Sequence, residues 1–433
     1  MQKLKQILSE IILRKKFYQT NIFSGTTSFS EVYIALRNIF KRKLTYSHFI
    51  DEYEHKFAQK LGVQNSFSFL TGRMALYAIL ESLYIKKGDE IILPAFTCVV
   101  VPNAIIYLGA IPVYCDIETE RFGPDPKSIE QKISPKTKAI LAQHTFGIPC
   151  LIQEINELGK KYDIPVIEDC AHSLGAKVDG KILGTLGTAS FFSTDHTKVI
   201  STGVGGVALG LEPKCDKNIK SIQEKASYLT KKQIRHQLIT FVVFHILTHP
   251  RIYWLSKYFL AGLIKTKLAF FITDYLSLTK PSAYPFPARL DSTHSQIGIS
   301  QLEKLESNLK QRNSIAKKFE DITKANASIF ANEKLENVWL RYPILVENRD
   351  EFLKDTFKNY DCGIWFTTVT ECRKSNFHEV NYQKGSCPIA EKVTNQIVSL
   401  PTHFRMKPLE PLLTMLAKLK KNNNNTFTYV RNK

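Results

Sequence analysis

The sequence predicts an α/β fold: a mostly parallel sheet sandwiched by helices, with a smaller C-terminal α+β domain. Three observations carry that expectation. Between residues 88 and 170, short apolar or β-branched runs alternate with amphipathic stretches of helical length, the pattern of βαβ units. Asp116, Gln143 and Asp169 stand where such runs end, and chemistry in parallel sheets gathers at the carboxyl ends of strands. Finally, 433 residues with 44% apolar and 23% charged content suit two or three compact units with a large core.

In chain order, residues 1–20 read as an amphipathic helix within an N-terminal arm, 1–24. That segment has no continuous apolar core and no small-residue cleavage site, so it does not read as a secretory signal. In HFIDEYEHKFAQKL (48–61), Phe49, Tyr53, Phe57 and Leu61 share one helical stripe, stopped by Gly62. Thr71 and Gly72 open a second helix, RMALYAILESLYI. DEIILPA, IPVYCD, KAILAQ and IPVIEDC then read as strands, separated by helices that include VPNAIIYLGA and IQEINELGKKYD. After residue 290, SQIGISQLEKLESNLKQRNSIAKKFEDI reads as one long helix, VWLRYPILV as a strand and EFLKDTFKNY as a helix. The expected units are a large domain, 25–300, a small domain, 301–420, and a low-complexity tail, 421–433.

The eight cysteines are scattered, with no Cys-x-x-Cys pair. Neither a zinc ribbon nor a thioredoxin-like redox pair is indicated, no metal site is expected, and buried reduced thiols in a cytoplasmic protein are the reading. The net charge of +19 suits nucleic acid, an anionic membrane or an anionic small substrate, and does not choose among them. No helix-turn-helix or zinc motif is present, so no nucleic acid is expected. Much of the excess sits in an insertion, about 225–285. Between Glu224 and Asp274 stand eight Lys or Arg and no acidic residue, around an aromatic-rich middle. It reads either as a helical hairpin packed on its own domain or dimer partner, or as an interfacial anchor at the inner face of a membrane. In the second reading Tyr253, Trp254 and Phe259 enter the headgroups while Arg251, Lys257 and Lys265 meet anionic lipid. The stretch free of Lys and Arg, 236–250, is too short to span a bilayer.

Three segments carry the chemistry. VIEDCAHSLGA puts Asp169 at a strand end and His172 three residues on; SFFSTDHTKVISTGVGGVAL puts Ser193 five residues before Lys198 and a glycine-rich turn after it; FLTGRMAL sets Gly72 and Arg73 at a helix start. Singly, each has an ordinary explanation as a cap, a turn or a solvated side chain. Together they suit a phosphorylated pyridine aldehyde. Its ring nitrogen needs a carboxylate, its aldehyde a lysine amine, and its phosphate a helix N-terminus with a hydroxyl.

These segments resemble the DegT–StrS family of pyridoxal-phosphate-dependent sugar aminotransferases, of the aspartate-aminotransferase fold type I. TGRMAL (71–76), GDEIILPAFT (88–97), GAIPVYCDI (109–117), EDCAHSLGA (168–176), FFSTDHTKVISTGVGG (191–206), GISQLEKLESNLKQR (298–312) and PIAEKVTNQIVSLPTH (388–403) carry the likeness. The resemblance implies pyridoxal 5'-phosphate as cofactor, Lys198 as the Schiff-base lysine and Asp169 as partner of the ring nitrogen. It places His172 near the ring and Gly72, Arg73 and Ser193 around the phosphate. It also implies a homodimer that moves an amino group, from glutamate, onto a keto sugar, typically nucleotide-linked, for polysaccharide or glycoconjugate synthesis. Four positions depart from the family pattern. Arg73 replaces a small hydroxyl residue, Cys98 stands where an aromatic stacks on the ring (with Phe96 as a substitute), Pro287 replaces an asparagine near Arg289, and His196 precedes the lysine by two. Two alternatives stay open: a related sugar dehydratase, against which Lys198 argues because those members carry histidine there, and a non-catalytic regulatory homologue.

Overall fold

A computed structural model describes residues 19–422 except 23–24, 42–43, 45–47, 266–276, 358–359, 371–376 and 407. The expected helix at 1–20 and the tail therefore lie almost wholly outside the described residues. Seven strands form the main sheet: β1 (Phe67–Phe69), β2 (Glu90–Pro94), β3 (Ile111–Cys115), β4 (Thr137–Gln143), β5 (Val166–Asp169), β8 (Ala189–Ser193) and β9 (Gly206–Gly210). Their order is β1-β9-β8-β5-β4-β2-β3. From β3 to β8 every pairing is parallel, and only β9 runs antiparallel to its neighbours β8 and β1.

The central strands are buried along nearly their whole length: β5 has all four residues buried and β4 six of seven. That is why they read as continuous apolar runs rather than alternating ones. Helices between the strands supply the covering layers. Helix Ile152–Tyr162, for example, buries Ile152, Ile155 and Gly159 and stops where Asp163 turns left-handed at φ 54°. Helix Gly72–Ser82 is buried at ten of its eleven positions, because it packs against β8 and β9 on one side and further helices on the other.

Three short strands, β6 (Lys177–Val178), β7 (Lys181–Ile182) and β10 (Leu335–Glu336), form a second sheet, and β11 (Arg341–Leu345) pairs antiparallel with β12 (Ile397–Pro401). Side chains from the main sheet and from β11 and β12 belong to one continuous hydrophobic cluster. The long helix expected after residue 290 is two helices, Ser292–Glu303 and Leu305–Thr323. They are split at Lys304, whose ψ of −1° leaves the helical range.

The insertion forms helices Lys231–Leu247 and Tyr253–Lys265. Of the two readings open from sequence, packing on the chain's own domain is observed: Ile234, Leu238, Phe241 and Val242 join the main core. The second helix is held by a small satellite cluster of Phe244, Tyr253 and Leu260. Tyr253, which the interfacial reading would place in the headgroups, is buried, and its hydroxyl donates to Asp361 at 2.6 Å. Among the described residues no helix is long and apolar enough to cross a membrane.

Candidate active site

The carboxyl ends of β4, β5 and β8 define the site. Gln143 and Asp169 are register partners, and Asp169 in turn pairs with Phe191. Gln143 is fixed by three bonds: it accepts from Thr97 Oγ1 at 2.6 Å and donates to the Phe96 carbonyl at 2.9 Å and to Thr145 Oγ1 at 2.8 Å. Asp169 is 5% exposed, and its Oδ1 accepts from the Ala171 N–H at 3.0 Å. Burial is the largest influence on it and pushes the carboxyl up to about 6, against smaller pulls from the Ala171 amide and Lys198.

Immediately before Asp169 on the same strand, Glu168 is fully buried as well. Its oxygens accept from the amides of Gly184, Leu186 and Gly187 at 2.8, 2.6 and 2.9 Å, and meet His144 Nε2 at 3.1 Å. His144 Nδ1 accepts from the Cys150 N–H at 3.1 Å, which places the ring proton on Nε2. With Cys170 these side chains bring three ligand-type atoms within 4.8 Å. Glu168 and His144 are bonded within the protein, and Glu168 ties the 184–187 loop to the strand carrying Asp169.

Lys198 lies on the loop after β8. The two ends of that loop are tied together: Asp195 bridges Gly203, Thr194 Oγ1 meets Thr202 Oγ1 at 2.7 Å, and the Thr194 N–H donates to the Gly205 carbonyl at 2.9 Å. Gly203 and Gly205 take φ of 86° and 155°, values that L side chains rarely adopt. Helix Ser292–Glu303 holds the loop from below, with Gln301 accepting from the Ser201 N–H at 3.1 Å. The insertion holds it from the side, where the Phe244 ring lies 4.6 Å from that of His196. Burial lowers the Lys198 ammonium, and the Arg341 guanidinium lowers it further, while Cys98, Asp195 and Asp169 pull the other way. A lysine shifted this way offers more of its nucleophilic free amine at neutral pH.

His172 lies near-parallel to Phe146 and Phe366, at 6.5 and 6.3 Å between ring centres. Its Nδ1 accepts from the Phe146 N–H at 3.3 Å. Burial, then Lys198 and Arg341, hold it well below the usual histidine range, so the ring is neutral. Phe96, the candidate stacking aromatic, is fully buried, packed edge-on to Phe366 at 5.0 Å and to Phe146 at 6.0 Å.

Ser193 and Gly72 meet directly. A Cβ on Gly72 would lie 3.0 Å from the Ser193 Cβ, and one on Gly206 would lie 2.4 Å from the Gly72 nitrogen. The start of helix Gly72–Ser82, capped by Thr71, thus abuts the ends of β8 and β9. Arg73 follows Gly72 in the same helix. Its guanidinium donates to the hydroxyls of Tyr107 at 3.2 Å and Tyr284 at 3.3 Å and lies over the Phe286 ring at 5.6 Å. The side chain thus lies in that aromatic cluster, while its backbone belongs to the helix start that meets Ser193.

The structure thus brings Lys198, Asp169 and His172 within electrostatic reach of one another, and Gly72 against Ser193. It adds residues that sequence reasoning missed. Arg341 opens β11, is 2% exposed, and stacks its guanidinium 4.2 Å over Trp365. Lys198 shares a small cleft with Arg312 and His403. The signals were present as a lone arginine inside VWLRYPILV, a charge in an otherwise apolar strand, and as a second acid, Glu168, beside Asp169 in VIEDC. The donor set fits a phosphorylated pyridine aldehyde: a free-amine-prone lysine, a buried carboxylate suited to a protonated ring nitrogen, and a helix start with a hydroxyl.

Residues 31–411 match the model of the DegT/DnrJ/EryC1/StrS aminotransferase family. A GDP-perosamine synthase of Escherichia coli O157:H7 is 42% identical over 162 residues, covering 37% of this chain and 44% of that protein. The chain thus aligns with less than half the length of that relative. An uncharacterized protein of Methanocaldococcus jannaschii is 29% identical over 82% of this chain and 85% of its own length. Among solved structures, the pyridoxal-phosphate form of a putative sugar aminotransferase from Streptococcus pneumoniae superimposes with a TM-score of 0.69. It is 18% identical, over 92% of this chain and 97% of that one, a likeness of fold.

Proposed function

The chain belongs to the DegT/DnrJ/EryC1/StrS aminotransferase family, and from that premise we propose that it is a pyridoxal-phosphate-dependent transaminase that aminates a keto sugar. The observation that carries this reading is the pairing of a burial-lowered Lys198 with a buried Asp169 at the strand ends. When bound, pyridoxal phosphate supplies an aldehyde carbon for amine exchange and a protonated ring that withdraws electrons from it.

The chain's own residues would do the rest. Asp169 holds the proton on the ring nitrogen, and a cation there would in turn draw its carboxyl back toward the ionised form. The Ser193 hydroxyl and the amides at the start of helix Gly72–Ser82 hold the phosphate. Neutral His172, fixed between Phe146 and Phe366, keeps water and a second positive charge away from the ring. Lys198 Nζ would carry the proton exchanged at the substrate carbon that gains or loses nitrogen. Arg341, buried beside Lys198, favours an anionic amino donor, for which glutamate is the natural choice.

The acceptor follows the relatives. One is named for GDP-perosamine and another for a UDP-linked glucosamine derivative, so a nucleotide-linked keto sugar for polysaccharide synthesis is the proposed substrate. We further propose a cytoplasmic homodimer whose basic insertion touches an anionic membrane. Purified protein incubated with pyridoxal phosphate, glutamate and a panel of nucleotide-linked keto sugars tests the reading. Formation of an amino sugar with matching 2-oxoglutarate is expected, and amination of none of the panel together with no 2-oxoglutarate would refute it.

A further inference from the structure

Ten of the twelve large apolar side chains that stand exposed among the described residues belong to three neighbouring helical segments. Along helix Phe29–Ile39 and its cap, Phe29, Tyr33, Leu36 and Phe40 follow one another at helical spacing, with Phe29 75% and Phe40 87% exposed. Helix Lys231–Leu247 contributes Ile239 and Ile246, one stripe at i and i+7. Around helix Tyr253–Lys265 stand Ile252, Leu255, Tyr258 and Phe259. The other two, Tyr84 and Tyr162, lie apart in sequence on other elements. Scattered exposed apolar residues are ordinary; this concentration is not.

The segments form one layer. Arg235, early in the second helix, donates to the carbonyls of Ile39 at 3.0 Å and Lys41 at 3.3 Å, at the end of the first. Late in the second helix, His245 Nδ1 meets Thr27 Oγ1 at 3.0 Å, just before the first begins. The two helices therefore run antiparallel, side by side. Their inner faces are occupied: Val32, Ala35 and Ile39 on one and Ile234, Leu238 and Phe241 on the other join the main core. The third helix folds back on the second through Phe244, Tyr253 and Leu260.

Charge identifies what meets the outer face. Arg37, Lys41, Lys231, Lys232 and Arg251 are exposed along it. The acidic residue of the first helix, Glu31, is buried and paired with Lys304 at 2.6 Å, and none stands between Glu224 and Asp274. A second copy of the same face, brought up by two-fold symmetry, would set like charges against each other. An anionic bilayer surface supplies both missing partners: acyl chains for the aromatics and headgroups for the lysines and arginines.

We infer that helix Phe29–Ile39 and the two helices of the insertion form a single docking face for an anionic lipid surface, lying in the interface plane. This rests on the proposed membrane contact of the insertion and extends it to a helix remote in sequence. Because Phe241 and Phe244 of the insertion also contact the loop carrying Lys198, the docked face backs directly onto the candidate active site.

The test is co-flotation of the full-length, pyridoxal-phosphate-loaded protein with vesicles of phosphatidylglycerol and phosphatidylcholine, against phosphatidylcholine alone. Two double variants are compared, Phe29→Glu with Phe40→Glu, and Ile246→Glu with Phe259→Glu. All four positions are exposed, and retained cofactor absorbance verifies folding. Flotation with anionic vesicles, weakened by high salt and reduced about tenfold or more by either pair, is the expected result. Loss with the insertion pair alone would leave the insertion's contact standing and overturn the three-segment face. No flotation of the unmodified protein would overturn both. If the variants instead lower the mass seen by light scattering while flotation is unchanged, the face belongs to a second copy and the inference fails. Cofactor binding and transamination are read separately, so none of these outcomes bears on the enzyme assignment.

Discussion

In the proposed chemistry Asp169 and Lys198 would bear most of the load, and each has a measurable signature. Asp169 has one amide donor and a carboxyl raised by burial from 3.8 to about 6. A carboxyl whose folded value lies above its unfolded one opposes folding once ionised. That cost is absent below about pH 4, grows as pH rises through 6, and reaches on the order of 3 kcal/mol. Cofactor-free Asp169→Asn, with no charge to bury, should therefore melt above cofactor-free wild type at about pH 8, the gap closing toward about pH 4. The same variant, loaded with cofactor, should lose about a hundredfold or more in turnover, because an amide cannot keep a ring nitrogen protonated. Near-normal turnover would reduce Asp169 to a strand-end cap. Asp169, His172, Ser193 and Lys198 were legible in sequence because they sit in long local motifs. Arg341 and Phe366 were not, since what draws them to Lys198 and His172 is tertiary packing between distant segments.

Among the elements, helix Lys231–Leu247 matters most for the site. Its basic, aromatic composition left open a packed hairpin or an interfacial anchor, and its inner face is core. Phe241 is 2% exposed, and a Cβ on Gly203 would lie 2.7 Å from its ring. Phe241→Ala is predicted to cost about 3–5 kcal/mol in stability, as buried aromatic truncations do, and to weaken cofactor binding as the Lys198 loop loses its side support. Unchanged cofactor affinity in a folded variant would separate the helix from the site. Thr71 makes a smaller claim: its side chain accepts from the Met74 N–H at 3.2 Å, so Thr71→Ala should cost about 1 kcal/mol by chemical denaturation. The strands β2 to β5 were readable as apolar runs of the right length. The three-residue β1 and the two-residue β6, β7 and β10 were not, because so few residues carry no periodicity. The break at Lys304 was hidden as well, because its sequence neighbourhood is helix-favouring throughout.

For the molecule as a whole, alternation of runs and helices was enough to expect a parallel sheet with function at its carboxyl edge, and the observed order places β4, β5 and β8 together there. That β11 brings Arg341 to Lys198 and His172 was beyond sequence pattern, because it depends on contacts between residues more than a hundred positions apart. The proposed homodimer predicts twice the chain mass in sedimentation at micromolar concentration; a purely monomeric species would contradict it. The most direct measurement of the central claim is chemical. Protein loaded with pyridoxal phosphate is reduced with borohydride, digested and mapped by mass spectrometry, with Lys198→Ala in parallel. A pyridoxyl group on Lys198, absent from the variant, is the expected result. A label on another lysine, or none at all, would contradict the assignment of Lys198 and with it the proposed chemistry.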